Sequence, residues 1–304
     1  MASASDVTHR PAGARGAVSH PAPAGRPRSV SRAPGSVRYH VLMVIAALTW
    51  FLPLLWMVSL AMTPNDVLQQ SSTSLIPGSV TLTNFAHVFS GGDLGRWFVN
   101  SVVVTTLTTV ITVVFCAMAG YAFARISFPG RRVLFVLVLA GLMVPKEAMF
   151  VPLFLMFSNA DQQNTYQALI LPRLAAPLGV FLMTQFFSKI PVEVEEAARI
   201  DGARRWRVFI SIMLPLAQPA LASLAIFTFV LTWNDYLWPL VASTQTEWFT
   251  VTTGLASLQS NFAATTNLGD LMARGLVGSL PLIVAFLLFQ RQLIRGITLG
   301  SGDK

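Results

Sequence analysis

Charge is scarce in this chain: 11% of its 304 residues are Asp, Glu, Lys or Arg, against roughly 25% in a typical soluble domain. With 54% hydrophobic residues and a mean hydropathy of +0.61, that shortage excludes an ordinary soluble domain and makes the chain an integral membrane protein. Cysteine is rarer still. The single one, Cys116, lies in an apolar run, so neither an intramolecular disulfide nor a cysteine-built metal site is available. The four histidines, His9, His20, His40 and His87, are dispersed without metal-ligand spacing, and no nucleophile and base accompany them. No catalytic residue, metal site or cofactor is therefore expected. A GxxxxGK(S/T) phosphate loop is absent, so ATP hydrolysis by this chain itself is not expected. Nor is there an internal repeat of the kind that builds many secondary transporters.

What the chain does have is apolar length. Stretches at residues 39–62, 98–124, 133–144 continuing past Pro145 to 157, 168–187, 216–241 and 276–289 (or from 271) suit six bilayer crossings of about 20 residues each. An all-α protein of six transmembrane helices is predicted for residues 39–304. The threonines of the second stretch, Thr105, Thr106, Thr108, Thr109 and Thr112, are of a kind that bonds back to the backbone or mediates helix packing. Lys146 and Glu147 interrupt the third stretch and are expected to mark a span end at the outer surface, because buried charge is expensive in a bilayer. Pro172 and Pro177 predict a broken or kinked fourth span. In the fifth, Trp233, Asn234 and Asp235 stand together, and an intramembrane carboxylate is a functional candidate by default. The structural alternative has Asp235 bonded to a neighbouring helix or near the outer interface, with Trp233 and Trp238 as belt aromatics.

Residues 1–38 carry six arginines against one acid, Asp6, among Ala, Pro, Ser and Gly, and predict a disordered basic cytoplasmic tail. Without interleaved aromatics it does not resemble a nucleic-acid arm, and its polar lead is too long for a signal peptide.

One charge-bearing segment stands apart in the C-terminal half, at about residues 191–215. Pro191 suits a first helical position, and Glu193, Glu195 and Glu196 suit the first turn. Glu195 and Arg199 are four apart in the favourable order, with Ala197 and Ala198 offering a closely approachable face. Gly202 can end this helix and Asp201 can cap the next. In that second helix Trp206, Phe209, Ile210 and Met213 fall at helical spacing as one apolar stripe, until Pro215 interrupts the pattern.

The order Glu196-Ala197-Ala198, then Asp201-Gly202-Ala203-Arg204, then Phe209, Leu214 and Pro215 resembles the EAA motif of permease subunits of binding-protein-dependent ABC importers. Gly120-Tyr121-Ala122-Phe123-Ala124-Arg125, Asn164-Thr165 and Trp233-Asn234-Asp235 resemble the motifs of the carbohydrate-uptake group, whose six-span maltose-type permease is similar over residues 39–304. The resemblance implies a MetI-like fold and a cytoplasmic coupling loop that docks on a separate ATPase dimer. It further implies a second homologous permease, an extracytoplasmic solute-binding protein, a sugar, polyol or glycerol phosphate substrate, and a translocation path near Trp233, Asn234 and Asp235.

Orientation follows from the basic residues. With the N-terminus, the loops at Arg125 and Lys189 and the C-terminus on one side, all but Arg96, Lys146, Arg173 and Arg274 of the 21 Lys and Arg lie there, which makes that side cytoplasmic. The net charge of +8 then reflects topology in a bacterial inner membrane and calls for no nucleic acid. Two rival classes are an ion-coupled secondary transporter using Asp235, and a membrane scaffold or channel subunit whose 191–215 segment binds another partner.

Overall fold

A chain crossing a bilayer has to satisfy its backbone hydrogen bonds internally. Among the described residues of the computed structural model (36–70, 79–90, 93–260 and 267–301) every regular element is a helix. The N-terminal half comprises α1 (Ser36–Ala61), α2 (Asn65–Gln70), α3 (Thr83–Ser90), α4 (Asp93–Arg125), α5 (Arg131–Ala140), α6 (Phe150–Asn159), α7 (Tyr166–Ile170) and α8 (Pro177–Lys189). Two short helices, α9 (Glu193–Ile200) and α10 (Arg205–Val208), lead through a π-helical turn at Phe209–Met213 and α11 (Leu214–Leu216) into α12 (Gln218–Trp233). α13 (Leu237–Ala242), α14 (Val251–Ser260) and α15 (Leu268–Ser301) complete the chain.

Val37–Ala61, Asp93–Arg125 and Leu268–Gln290 are each long and apolar enough to cross a membrane. Three bent pairs also qualify: Arg131–Met143 with Lys146–Asn159 at 94°, Tyr166–Arg173 with Pro177–Lys189 at 47°, and Arg205–Leu216 with Gln218–Trp233 at 75°. Counting each pair once gives the six-span architecture.

The breaks refine the sequence reading in two places. Within the third stretch Val144 and Pro145 are extended, and the exposed Lys146 and Glu147 sit at the corner, as an interruption by charge led one to expect. The fifth ends at Trp233, with Asn234 as its C-cap, and the chain turns before α13. Two compact units can be separated, Met1–Phe51 and Leu52–Lys304. In the first, helix begins at Ser36, so Ser36, Val37 and Arg38 are helical rather than part of a disordered tail. The rest of the expected tail lies outside the described residues.

Within the second unit α4 packs along α8 and α12. Two glycines permit this. A Cβ on Gly120 would stand 2.5 Å from Met183 Cβ and 2.9 Å from the backbone of α8, and one on Gly179 would stand 2.6 Å from Cys116 Sγ. Thr105, Thr108, Thr109 and Thr112 are buried in this bundle while Thr106 is exposed. The hydroxyls of Thr108, Thr109 and Thr112 have no hydrogen-bond partner among the described residues, so the expected bonds back to the backbone are not made at these three.

Candidate functional site

The segment at 191–215 closes one end of the bundle, between α8 and α12. Its corner is built from backbone. Gly202 adopts φ +79°, its N–H donates to Arg199 O at 3.0 Å, and the Ala203 N–H donates to Ala198 O at 2.9 Å. This is the doubly bonded C-terminal closure that glycine favours, and it explains Ala198, Gly202 and Ala203 as a set. Asp201 is not the cap of the following helix. It is the C-cap of α9, while α10 starts behind Arg204 with no side-chain cap, because the turn consumes residues 201–204 before helical geometry resumes.

Residues here divide into anchors and a presented face. Ala198, Phe209 and Met213 are buried in a core cluster with Tyr121, Met183 and Phe187, against which Ala203 and Leu214 also pack. The Phe209 ring stands 5.0 Å from that of Tyr121. Glu196, Ala197, Asp201, Gly202, Arg204 and Pro215 are exposed. So are Ile200 at 86% and Trp206 at 59%, an apolar pair with room for a partner. The single stripe expected of Trp206, Phe209, Ile210 and Met213 therefore splits: Phe209 and Met213 face the bundle, whereas Trp206 and Ile210 face outward. The π-helical turn widens the helix there and rotates successive side chains apart.

What holds the segment in place was not legible as a site. Arg125, the last residue of α4, donates to the carbonyls of Phe187 and Ile190 at the end of α8. Its Nε lies 3.3 Å from Glu195 Oε1, both side chains almost wholly buried, and Arg199 reaches Glu195 Oε2 at 3.3 Å. One guanidinium thus ties α4, α8 and α9 together. Adjacent glutamates take opposite parts, Glu195 inward as a brace and Glu196 outward.

At the opposite end, the Trp233-Asn234-Asp235 triplet also divides. The buried Trp233 donates through Nε1 to Gly278 O at 3.1 Å and stacks with Phe229. Asp235 forms an ion pair with the largely buried Arg173, and its carbonyl accepts from the Thr252 hydroxyl at 2.8 Å. Of the three side chains, Asn234 is the exposed one. Asn164 (φ 54°) accepts the N–H groups of Thr244 and Gln245 at 2.8 and 3.0 Å, and Thr165 caps α7 through the Ala168 N–H. The Asn-Thr pair is thus a structural clamp between the α6–α7 and α13–α14 connections. Trp238 donates to Ala168 O at 2.9 Å across the same region. Converting Asp235 to Asn leaves Arg173 buried without a counter-charge, a loss of about 3 to 5 kcal/mol. The expected readout is a fall of several degrees in the thermal transition of the purified protein. An unchanged transition would mean that the pair is not structural.

The chain is thus a multi-span helical membrane subunit with a braced pair of short helices at one end and a polar, ion-paired break at the other. The chain belongs to the binding-protein-dependent transport system inner membrane components, whose family model matches residues 113–298, from within α4 to within α15. It is 38% identical over 252 residues to the arabinooligosaccharides transport system permease protein AraQ of Halalkalibacterium halodurans, covering 82% of this chain and 90% of that one. To the diacetylchitobiose uptake system permease protein NgcG of Streptomyces coelicolor it is 33% identical, covering 86% and 87%. To the sn-glycerol-3-phosphate transport system permease protein UgpE of Yersinia pestis it is 33% identical, covering 85% and 94%. The fold matches a chain from the crystal structure of a bacterial ABC transporter involved in alginate import, with a TM-score of 0.75 at 21% identity over 84% of this chain and 95% of that one.

Proposed function

We propose that the chain is one of two homologous permease subunits of an importer for sugars or related polyols and glycerol phosphates, forming half of the translocation path. Oligosaccharide, disaccharide and glycerol phosphate systems among its relatives support the substrate class. A separate ATPase dimer docks on the 191–215 segment from the cytoplasm, where both termini also lie, and an extracytoplasmic binding protein delivers substrate at the other face. The chain hydrolyses nothing itself. The path runs past Asn234, with Trp233 and Asp235 holding its wall.

The observation that carries this reading is the braced segment. Its anchored face is welded to α4 and α8 through Arg125, so motion imposed on its exposed face is passed to the spans. Ion-coupled transport through Asp235 is disfavoured, because that carboxylate is already committed to Arg173.

Gly202→Glu is the direct test. Nothing lies within 4 Å of where its Cβ would be, so the change puts a charge on the docking face at a backbone cost of about 1 to 2 kcal/mol. Gly202→Ala carries that cost alone. Membrane insertion is expected to survive in both. ATP-driven uptake should be lost in Gly202→Glu and largely retained in Gly202→Ala; normal uptake in Gly202→Glu would overturn the coupling role.

A further inference from the structure

Beside the braced segment, the end of α4, the start of α5 and the last turns of α8 enclose a cleft of about 730 Å³. Its lining includes Phe123, Phe128, Arg131, Arg132, Gln185 and Ser188, and no carboxylate. The cleft is chemically two-sided. One wall is aromatic, with the ring of Phe123 6.0 Å from Phe128 and 5.3 Å from Phe135. The other is cationic. Arg131 is partly committed, donating to Ala124 O at 3.3 Å and Ile126 O at 3.5 Å. Arg132 is exposed and makes no ion pair among the described residues.

Directly beyond Arg132, α5 continues with Val133, Leu134, Val136 and Leu137, between 48% and 65% exposed, so the cleft opens onto apolar surface that a bilayer would cover. A soluble anion would use the arginines and leave the aromatic wall and this apolar continuation without a role. An acidic protein surface would do the same. A molecule with a phosphate at one end and hydrocarbon at the other uses all three.

We infer that this cleft is a binding site for an anionic phospholipid of the cytoplasmic leaflet. Arg132 binds the phosphate, Gln185 and Ser188 bind the headgroup hydroxyls, and the Phe123, Phe128 and Phe135 wall takes the glycerol and the first acyl carbons. The leaflet assignment rests on the orientation proposed above. Because Arg131 bonds the carbonyls on either side of Arg125, an occupied cleft buttresses the same helix end that holds Glu195.

The test uses the assembled transporter in nanodiscs of phosphatidylethanolamine with and without phosphatidylglycerol, read by native mass spectrometry after gentle extraction. Wild type is expected to retain phosphatidylglycerol, and Arg132→Glu to hold it roughly 30-fold more weakly, from two charge steps at the membrane surface. Arg132→Lys should restore most of the retention, and a monodisperse elution profile shows that the variants fold. Equal retention by wild type and Arg132→Glu overturns the site. Displacement of phosphatidylglycerol by millimolar inorganic phosphate would make it a general anion site. Loss of a partner subunit in Arg132→Glu with lipid retention unchanged would make the cleft a protein-docking surface. Arg132-dependent retention by a chain that recovers no ATPase would sink the importer reading and leave the lipid site standing.

Discussion

Arg125→Gln is expected to reduce coupled uptake by roughly two orders of magnitude or more while the chain still reaches the membrane. The guanidinium is the shared partner of two carbonyls on α8 and the Glu195 carboxylate on α9. Removing it leaves a buried charge whose remaining partner, Arg199, is 45% exposed. Breaking a buried pair from one side costs about 3 to 5 kcal/mol, and α9 is the element that loses its tie to α4. Glu195→Gln should be milder, because both carbonyl bonds to Arg125 survive it. Arg125→Lys keeps the charge but loses the fork that reaches several acceptors at once, so it should fall between wild type and Arg125→Gln. The checks are uptake and substrate-stimulated ATPase activity in the reconstituted complex. If Arg125→Gln keeps stimulated hydrolysis tied to uptake, the brace has no part in coupling.

A large loss of stability is also expected at Gly120. A side chain there meets Met183 Cβ at 2.5 Å and the backbone of Met183 and Thr184 at 2.9 Å, and backbone does not swing aside as a flexible side chain does. Overpacking a well-filled interior costs about 1 to 3 kcal/mol, occasionally more, and Gly120→Val belongs at or above the top of that range, since α4 and α8 would have to separate. We expect little monodisperse protein from Gly120→Val. Gly95→Ala, with nothing within 4 Å, should be neutral or slightly stabilising by helix propensity. Comparable yields for the two variants would show that the α4–α8 crossing is less tight than its geometry.

The sequence disclosed what is local and concealed what is distant. Gly202 was legible as a corner because a left-handed residue after a helix needs glycine, and Pro172 and Pro177 announced a bend that exists at 47°. The Arg125–Glu195 brace was not, since i,i+4 spacing pointed Glu195 to Arg199 and nothing in either neighbourhood names a partner from another helix. For Asp235 a bond to a neighbouring helix was one of the two readings, but its partner was not legible, because Arg173 is carried by a different span. Trp206 and Ile210 were read onto one stripe with Phe209 and Met213 because a regular helical period was applied across a turn that is not regular.

That wide turn, Phe209–Met213, fixes the length of the chain there more strictly than its composition. Such a turn holds one residue more than the α-helical turn it replaces. Deleting one residue would let an ordinary α-helix form, and the side chains that now divide there, Phe209 and Met213 inward and Ile210 outward, would fall onto a regular advance of about 100° per residue. Conservative replacements in the turn can keep its rotational offset; single-residue insertions and deletions cannot.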